Sequence, residues 1–192
     1  RVKAPRAQFE NRVFLAVGST SDLTRTQLEA LRLAHPCHLV AMDVRKILAA
    51  ESERQQEIDR VLNAVCAAHK EATVLGVCTA GNREDVFSME EMSRQLGILP
   101  CEISQRINTA LAEVTRRALQ HRQMGIGGLY TSGGEVTVAV VRTLEAGGFS
   151  VRDQVLPLAV YGHIIGGQHP DLPMITKGGF VGDKDSLVEC VE

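Results

Sequence analysis

The chain has 192 residues, the size of one globular domain, and 44% of them are hydrophobic, enough to form a buried core. Its net charge of −2, without a basic stripe interleaved with aromatic residues, argues against nucleic acid as a partner. No apolar run approaches the roughly twenty residues that cross a bilayer, and no signal peptide is visible, so we expect no membrane partner either.

The cysteines and the first residues indicate the setting of the chain. Its five cysteines are scattered, without a CxxC pair or a spacing to histidine that suits zinc. We therefore expect reduced thiols, a cytoplasmic protein and no metal site built from side chains. Residues 1–11 are polar and begin with Arg1 rather than Met, which predicts a linker in a longer polypeptide, followed by a single domain over 12–192.

In the first half of the chain, short apolar runs alternate with longer segments of helical periodicity. They predict strands over 12–17, 37–44 and 73–78, helices over 23–33, 50–70 and 99–122, and a short helical or irregular connection over 88–97. Ser21 or Asp22 would cap the first helix, so this turn is either a cap alone or a phosphate or ribose site. The turn at 79–82 either lines a pocket or, as we favour, is a surface loop.

The second half continues the alternation of strands and helices. It predicts a strand over 124–131, a helix over 136–145, a strand over 151–161, a loop over 162–173, a short strand over 174–175 and a helix over 183–191. The glycines within 125–128 suggest a dinucleotide-binding fingerprint, but that fingerprint needs its glycines after the strand. Here they precede the strand, so we reject it.

This alternation predicts the α/β class, with a three-layer, largely parallel (mixed) sheet and helices on both faces, a Rossmann-like arrangement. Ligands bind such sheets beyond the carboxyl ends of the strands. The turns after Val17, Thr131 and Ile175 should therefore meet at one edge and form the site.

The stretch from Leu129 to Leu144 is the strongest local signal, because a β-favouring run breaks at glycines and resumes as a helix. This order places backbone N–H groups at the positive end of a helix, where a phosphate would bind. Gly133 and Gly134 let the backbone approach a ligand without a Cβ in the way. Glu135 beside a phosphate would be useful only if it binds a ribose hydroxyl or Mg²⁺, and Thr137 offers a hydroxyl within the first helical turn.

A second glycine turn, Thr176-Lys177-Gly178-Gly179, carries a cation. Lys177 is either a counter-charge for a phosphoryl group or a solvated hairpin lysine. A P-loop is excluded, because the chain contains no GxxxxGK[ST] segment.

Besides a site for a phosphate-bearing ligand such as ATP, two other functions are consistent with the sequence. Asp153 lies twenty residues after Gly133, the interval of the ribose carboxylate in a nicotinamide-dinucleotide domain, although it precedes its predicted strand. The other rival is a non-catalytic nucleotide-binding module. His163 and His169 lie in the predicted loop near the site, where an acid–base role stays open beside the plainer interpretation as loop residues.

Taken together, the motifs resemble the C-terminal nucleotide-binding domain of the four-carbon acid sugar kinases, and their wording is most similar to the D-threonate kinase branch. The matching stretches run in the family's order and span nearly the whole chain: VFLAVGSTSDLTRTQ at 13–27, YTSGGEVTVAVVRTLEAGG at 130–148, VLPLAVYGHIIGG at 155–167 and LPMITKGGFVGD at 172–183. The resemblance implies an ATP-dependent kinase that phosphorylates the terminal hydroxyl of D-threonate, D-erythronate or a 3-oxo-tetronate.

The resemblance also implies site residues and partners. ATP, with Mg²⁺ bridging its phosphates, would be held by residues of three turns: Ser19, Gly133, Gly134, Glu135, Val136, Thr137 and Gly178. Relatives carry a threonine where this chain has Val136, so Thr137 is the expected substitute. The sugar acid and the general base would belong to a domain that precedes residues 1–11, so this chain alone should bind ATP weakly and turn over no acid. A homo-oligomer is left open.

Overall fold

The computed structural model describes residues 12–79 and 88–192; the predicted linker at 1–11 and most of the turn at 79–82 lie outside these ranges. Within them, seven strands form a single sheet in the order β2-β3-β1-β4-β7-β6-β5. The strands are β1 (Arg12–Val17), β2 (Cys37–Ala41), β3 (Val74–Cys78), β4 (Ile126–Ser132), β5 (Gly148–Leu156), β6 (Ala159–Ile165) and β7 (Pro173–Lys177).

Helices occupy both faces of the sheet. They are α1 (Asp22–Ala34), α2 (Val44–Leu48), α3 (Glu51–Ala67), α4 (Met89–Leu96), α5 (Pro100–Gln120), α6 (Gly134–Thr143) and α7 (Ser186–Val191), with a short 3₁₀ turn at Arg122–Met124. None of those helices, which belong to the described ranges, is long and apolar enough to cross a membrane.

The parallel part of the sheet lies at the centre of the protein, between two hydrophobic cores. β2, β3, β1, β4 and β7 run in parallel, while β6 is antiparallel to both of its neighbours, β7 and β5. Phe14 and Ala16 pack into the larger core, which includes residues of α3, α5 and α6, whereas Leu15 and Val17 pack into a second core with residues of α1 and α7. Because both faces of β1 are covered, its sequence from Val13 to Val17 is a continuous run of apolar residues. The predicted three-layer, largely parallel α/β fold is confirmed.

The second strand is shorter than predicted. It ends at Ala41, because Asp43 caps α2 by accepting hydrogen bonds from the backbone N–H groups of Arg45 and Lys46. A carboxylate at this position satisfies helical N–H groups that otherwise lack partners. Val44, predicted to end the strand, therefore begins a helix.

The segment at 151–161, predicted to be mostly strand, is strand in two parts instead of one, because the chain reverses in its middle. β5 and β6 form an antiparallel hairpin that turns at Pro157 and Leu158, and Leu158 has a positive φ of 63°. Pro157 cannot donate a ladder hydrogen bond, which favours a turn here. The loop predicted over 162–173 begins only after Ile165, because β6 continues to that residue.

Smaller differences concern the ends of elements. α6 begins at Gly134, two residues earlier than predicted, and ends at Thr143. Gly127 and Gly128 lie inside β4 instead of preceding it. β7 is longer than the predicted two residues, and α7 begins only at Ser186. These shifts leave the order of the elements unchanged.

Candidate functional site

The three predicted turns meet at one edge of the sheet. Ser132 pairs in register with Val17 on one side and Lys177 on the other. Two backbone hydrogen bonds continue these pairs into the turns, from the Gly18 N–H to the Ser132 carbonyl at 3.2 Å and from the Gly133 N–H to the Lys177 carbonyl at 3.0 Å. The predicted meeting of the turns at the carboxyl ends of β1, β4 and β7 is confirmed.

The turn between β4 and α6 leaves the start of the helix open. Gly133 occupies the N-cap position with φ of 106°, a conformation that favours glycine, and no described side chain caps this helix. The first N–H groups of a helix have no acceptor within the helix. A Cβ on Gly134 would have no heavy atom of the described residues within 4 Å, so the backbone at Gly134 faces free space. We call this open space at the start of α6 the cradle; a side chain at position 134 would occupy it.

Hydroxyl groups organise the turn between β1 and α1. Ser21 caps α1 by accepting the Thr24 N–H at 3.1 Å. The Thr24 hydroxyl donates to Ser19 Oγ at 2.8 Å, and the Ser21 hydroxyl donates to the carbonyl of Gly179 at 2.9 Å. Ser21 of the first turn therefore caps the helix, and the turn also fastens the loop after β7, while the phosphate or ribose role of this turn stays a prediction.

That loop, residues 178–182, is held by contacts at its base. The Gln27 amide donates to the carbonyls of Val181 at 3.0 Å and Asp183 at 2.6 Å. Gly179 is pressed against Ser19, since a Cβ on Gly179 would stand 2.5 Å from Ser19 Oγ. Phe180 is nevertheless 85% exposed and borders the cavity between the three turns, which we call the cleft. Gln27, inside α1, and Gly179, in the second glycine turn, had no individual signal in the sequence that pointed to this contact.

Lys177 is almost fully buried, with 1% of its surface exposed, and is not the solvated hairpin lysine of one interpretation. Its ammonium group donates to the carbonyls of Gly178 at 3.0 Å and Val181 at 2.9 Å. Burial lowers the pKa of Lys177, partly offset by the nearby Cys190. The ammonium thus ties the loop together, and its role as a counter-charge for phosphate stays a prediction.

The Thr137 hydroxyl lies in a network of threonine side chains. It is hydrogen-bonded to the hydroxyls of Thr131 at 2.9 Å and Thr176 at 2.7 Å, and it also donates to the Gly133 carbonyl at 3.1 Å. These contacts join α6 to β4 and β7. In this arrangement the hydroxyl supports the glycine turn, so the predicted direct contact with ATP stays a prediction.

Val136 packs into the core. It is buried, and a Cβ on Gly18 would overlap its Cγ2 atom, so the closeness of β1 and α6 depends on a glycine at position 18. A valine side chain offers no hydroxyl. Any contribution of Val136 to ligand binding must come from its backbone N–H.

Three adjoining cavities open along this edge of the sheet in the described part of the chain. One, of about 390 Å³, lies between the three turns and is lined by Gly18, Ser19, Thr20, Asn108, Gly133, Gly134, Glu135, Val136, Gly179 and Phe180. A second, of about 240 Å³, extends towards Thr79 and Met89. The third, of about 670 Å³, follows the groove between α5 and α6.

Asn108 and Glu135 border all three cavities. The Asn108 amide donates to the Glu135 carboxylate at 3.1 Å. Glu135 was predicted as a site residue, but Asn108 was missed because it is one polar residue in the middle of a helix. Only the packing of α5 on α6 brings it to the turn.

The residues of the rival interpretations lie elsewhere. Asp153 is exposed on β5, the edge strand of the sheet, and accepts a hydrogen bond from the N–H of Gln154. His163 lies in β6, opposite Pro173 at the start of β7, so it is at the other end of the strands from the cleft. The prediction that it belongs to a loop near the site is wrong. His169 follows β6 at that same end.

Fold and cleft together define an α/β protein with an open cleft where the carboxyl ends of parallel strands meet a helix start, the place where proteins of this class bind ligands. Residues 14–187 match the family model described as the nucleotide-binding C-terminal domain. The chain belongs to this family, as the C-terminal nucleotide-binding domain of the four-carbon acid sugar kinases. The resemblance noted in the sequence is thereby confirmed.

Two curated relatives that match this chain are named as kinases of four-carbon sugar acids. A D-erythronate kinase from Heliobacterium modesticaldum is 39% identical over 98% of this chain and 43% of its own length. A D-threonate kinase from Salmonella typhimurium is 26% identical over 93% of this chain and 41% of its own length. The chain therefore spans less than half of each relative. Since relatives named for both acids match, the choice of the D-threonate branch stays a prediction.

Solved structures show the same fold. A Bordetella bronchiseptica protein, described as a domain of unknown function with bound citrate in a domain-swapped dimer, matches with a TM-score of 0.68 and 22% identity, over 94% of this chain and 40% of that one. A Haemophilus influenzae protein matches with a TM-score of 0.67 and 23% identity, over 94% of this chain and 39% of that one. At these identities the likeness concerns the fold.

Proposed function

We propose that this chain is the ATP-binding part of a kinase that phosphorylates the terminal hydroxyl of a four-carbon sugar acid, D-erythronate, D-threonate or a 3-oxo-tetronate. The observation that carries the proposal is the uncapped start of α6 at Gly133 and Gly134, which opens into the cleft. Backbone N–H groups at a helix start favour phosphate. The names of the two curated relatives support the kinase chemistry and the class of substrate.

The phosphates would bind in the cavity between the three turns. It is lined by Ser19, by the glycines of the central turn and by the loop that begins at Gly178. Phosphoryl transfer depends mainly on positioning and on neutralising charge. In this proposal Lys177 holds the 178–182 loop in place and adds positive charge near the phosphates. Thr137 stabilises the glycine turn at Gly133 through its hydrogen bonds.

Mg²⁺ fits this cleft only together with the nucleotide. The described residues contain no cluster of three or more His, Cys, Asp or Glu side chains that would hold a metal ion by themselves. Mg²⁺ usually binds through one or two carboxylates, several waters and the phosphates of a substrate. Glu135 would supply the carboxylate, with Asn108 holding it in place through their hydrogen bond. Bound there, the ion would offset the repulsion between Glu135 and the phosphates.

The sugar acid and the general base would belong to the part of the relatives that this chain does not span. Residues 1–11 would then link the two parts, and residues 12–192 would form the nucleotide-binding domain. A homo-oligomer and a cytoplasmic location complete the proposal. The domain-swapped dimer of the Bordetella protein supports the first, and the free thiols together with the need for ATP support the second.

The experiment is isothermal titration calorimetry of the chain with Mg·ATP and, separately, with NADH. We expect Mg·ATP to bind and Gly134→Val to weaken it at least tenfold, because the added side chain fills the cradle at the helix start. The matched control is Gly128→Val in β4, where a Cβ would make an ordinary contact of 3.8 Å with Val13. Thermal midpoints establish that both variants fold.

Each rival has its own outcome. Binding of NADH without binding of Mg·ATP would overturn the kinase proposal in favour of an oxidoreductase domain. Binding of Mg·ATP that Gly134→Val leaves unchanged would place the nucleotide elsewhere. The non-catalytic module is tested in the full-length protein: phosphorylation of a four-carbon acid excludes it, and ATP binding without any transfer would establish it.

A further inference from the structure

We infer that the groove between α5 and α6 holds the nucleoside part, the base and ribose, of the nucleotide whose phosphates bind at the glycine turn. This inference rests on the proposed function and adds the direction in which the nucleotide lies. It extends the site along the face of α5 that carries Asn108.

The groove is built from one stripe of each helix. Every third or fourth residue of a helix lies on the same face, which is how both helices present a continuous wall. From α5 the lining residues are Cys101, Gln105, Asn108 and Thr109, and from α6 they are Gly134, Glu135, Val138, Ala139, Arg142 and Thr143.

The dimensions of the groove suit a nucleoside. Its volume is about 670 Å³, the largest of the three adjoining cavities described above. From Gly134 to Arg142 the helix rises eight residues, or about 12 Å at 1.5 Å per residue. That length accommodates a ribose and a purine placed end to end, with the ribose next to the turn.

The chemistry of the lining differs from that of the neighbouring cavity. The floor of the groove contains Val138, which is 49% exposed, together with Ala139 and Cys101. An exposed apolar floor suits the face of a planar base, and the amide of Gln105 and the hydroxyl of Thr109 on the rim offer groups for its polar edge. The cavity between the turns shares Asn108, Gly134 and Glu135 with the groove and has Val136 and Phe180 in its wall. It differs by three further glycines and the hydroxyls of Ser19 and Thr20, which suit phosphates.

Continuity with the turn favours one orientation of the nucleotide. Gly134 and Glu135 border both the groove and the cavity between the turns, so one ligand can pass from one to the other beside the start of α6. Phosphates at the N–H groups of the turn would leave the nucleoside to follow α6 towards Arg142. The alternative route leads the base over the 178–182 loop, to stack on the exposed Phe180.

Cys101 offers a direct test, because all five cysteines lie in the described ranges and it alone among them is exposed. We would measure the rate at which iodoacetamide alkylates Cys101 by peptide mass spectrometry. The expected result is at least fivefold slower alkylation with saturating Mg·ATP, slower alkylation also with adenosine at high concentration, and an unchanged rate with tripolyphosphate.

A variant gives the second arm. Val138→Trp fills the groove and should raise the Kd for Mg·ATP at least tenfold while leaving binding of tripolyphosphate within twofold of the wild type. The matched control is Val155→Trp, which places the same side chain at a partly exposed valine of the edge strand β5. Neither valine takes part in the glycine turn, so both variants should keep its conformation.

The outcomes separate this inference from the proposal on which it rests. If Mg·ATP binds but neither protects Cys101 nor responds to Val138→Trp, the groove is not the nucleoside site, and loss of binding in Phe180→Ala would place the base at the 178–182 loop. Protection of Cys101 that depends on protein concentration and not on nucleotide would assign the groove to a second copy of the chain and overturn the inference. If no form of the protein binds Mg·ATP, the proposed function itself fails.

Discussion

Gly179 and Ser19, 160 positions apart in the sequence, are in direct contact: a Cβ on Gly179 would stand 2.5 Å from Ser19 Oγ and 2.7 Å from Ser19 Cβ. The Gly179 carbonyl also accepts a hydrogen bond from the hydroxyl of Ser21. The loop after β7 is therefore fitted against the turn after β1, and this contact closes one side of the cleft.

The first prediction is that Gly179→Ala separates the two turns. The added methyl group cannot be accommodated without movement of Ser19, so we expect a loss of stability of about 1–3 kcal/mol. Since the cleft is reshaped, the Kd for Mg·ATP should rise about tenfold, equivalent to about 1.4 kcal/mol. Urea unfolding and calorimetry measure the two effects. In the control, Gly147→Ala, the new Cβ would lie 3.5 Å from the carbonyl of Ile165 and both quantities should change little.

The second prediction concerns the threonine network. Thr137→Val removes the hydroxyl that bonds Thr131 and Thr176, and should lower the free energy of unfolding by about 1–2 kcal/mol. Thr137→Ser keeps the hydroxyl and should recover most of that loss. Urea unfolding measures both variants, and calorimetry shows how Mg·ATP responds. A large loss of ATP affinity in Thr137→Val without any loss of stability would mean that the hydroxyl contacts the nucleotide instead of supporting the turn.

The third prediction is a pH dependence carried by Lys177. Burial lowers the pKa of Lys177 below 10.5 in the folded protein, so between the two values the folded state binds fewer protons than the unfolded state. Its contribution to the free energy of unfolding must rise as the pH rises towards 10.5. Buried thiols act in the opposite direction, since burial raises the pKa of Cys190 to about 11.

The measurement for Lys177 is therefore a difference between proteins. Urea unfolding between pH 7 and 10 should show the wild type gaining stability relative to Lys177→Met as the pH rises. Lys184→Met, at an exposed lysine after the same loop, is the control and should run parallel to the wild type. Parallel curves for Lys177→Met would contradict the prediction.

The fourth prediction concerns acid stability. Glu57 is buried in α3, and although burial acts to raise its pKa, hydrogen bonds from Arg60 and from the Asp43 N–H lower it below 4.5 overall. A carboxylate with a lowered pKa contributes stability that is complete above about pH 4.5 and is lost as the pH falls through the folded value. Glu57→Gln should cost roughly 1–3 kcal/mol at pH 7.

The same variant should lose less of its remaining stability between pH 5 and pH 3 than the wild type does. Chemical unfolding at intervals across that range measures the slope. Glu53→Gln, at an exposed position of the same helix, should keep the slope of the wild type. An unchanged slope in Glu57→Gln would show that this carboxylate is not linked to acid unfolding.

The sequence by itself determined the class of the fold, the family and the place of the cleft. Local patterns carry that information: continuous apolar runs indicate buried parallel strands, and a glycine break between a strand and a helix indicates an open helix start. The turn after Val17 therefore lies where it was predicted, and the turn predicted after Thr131 begins one residue later, after Ser132. The hairpin at Pro157 was missed because two adjoining strands of similar composition read as one.

Only the tertiary structure decided which way the side chains of the site face. Nothing local to Lys177 shows that its ammonium group will be buried under its own loop, and nothing local to Thr137 shows that its hydroxyl will meet Thr176. Asn108 reaches Glu135, and the groove beside them exists, only because α5 packs on α6. The physical reason is that periodicity and turn chemistry act over a few residues, whereas burial and partnership depend on segments that are distant in the chain.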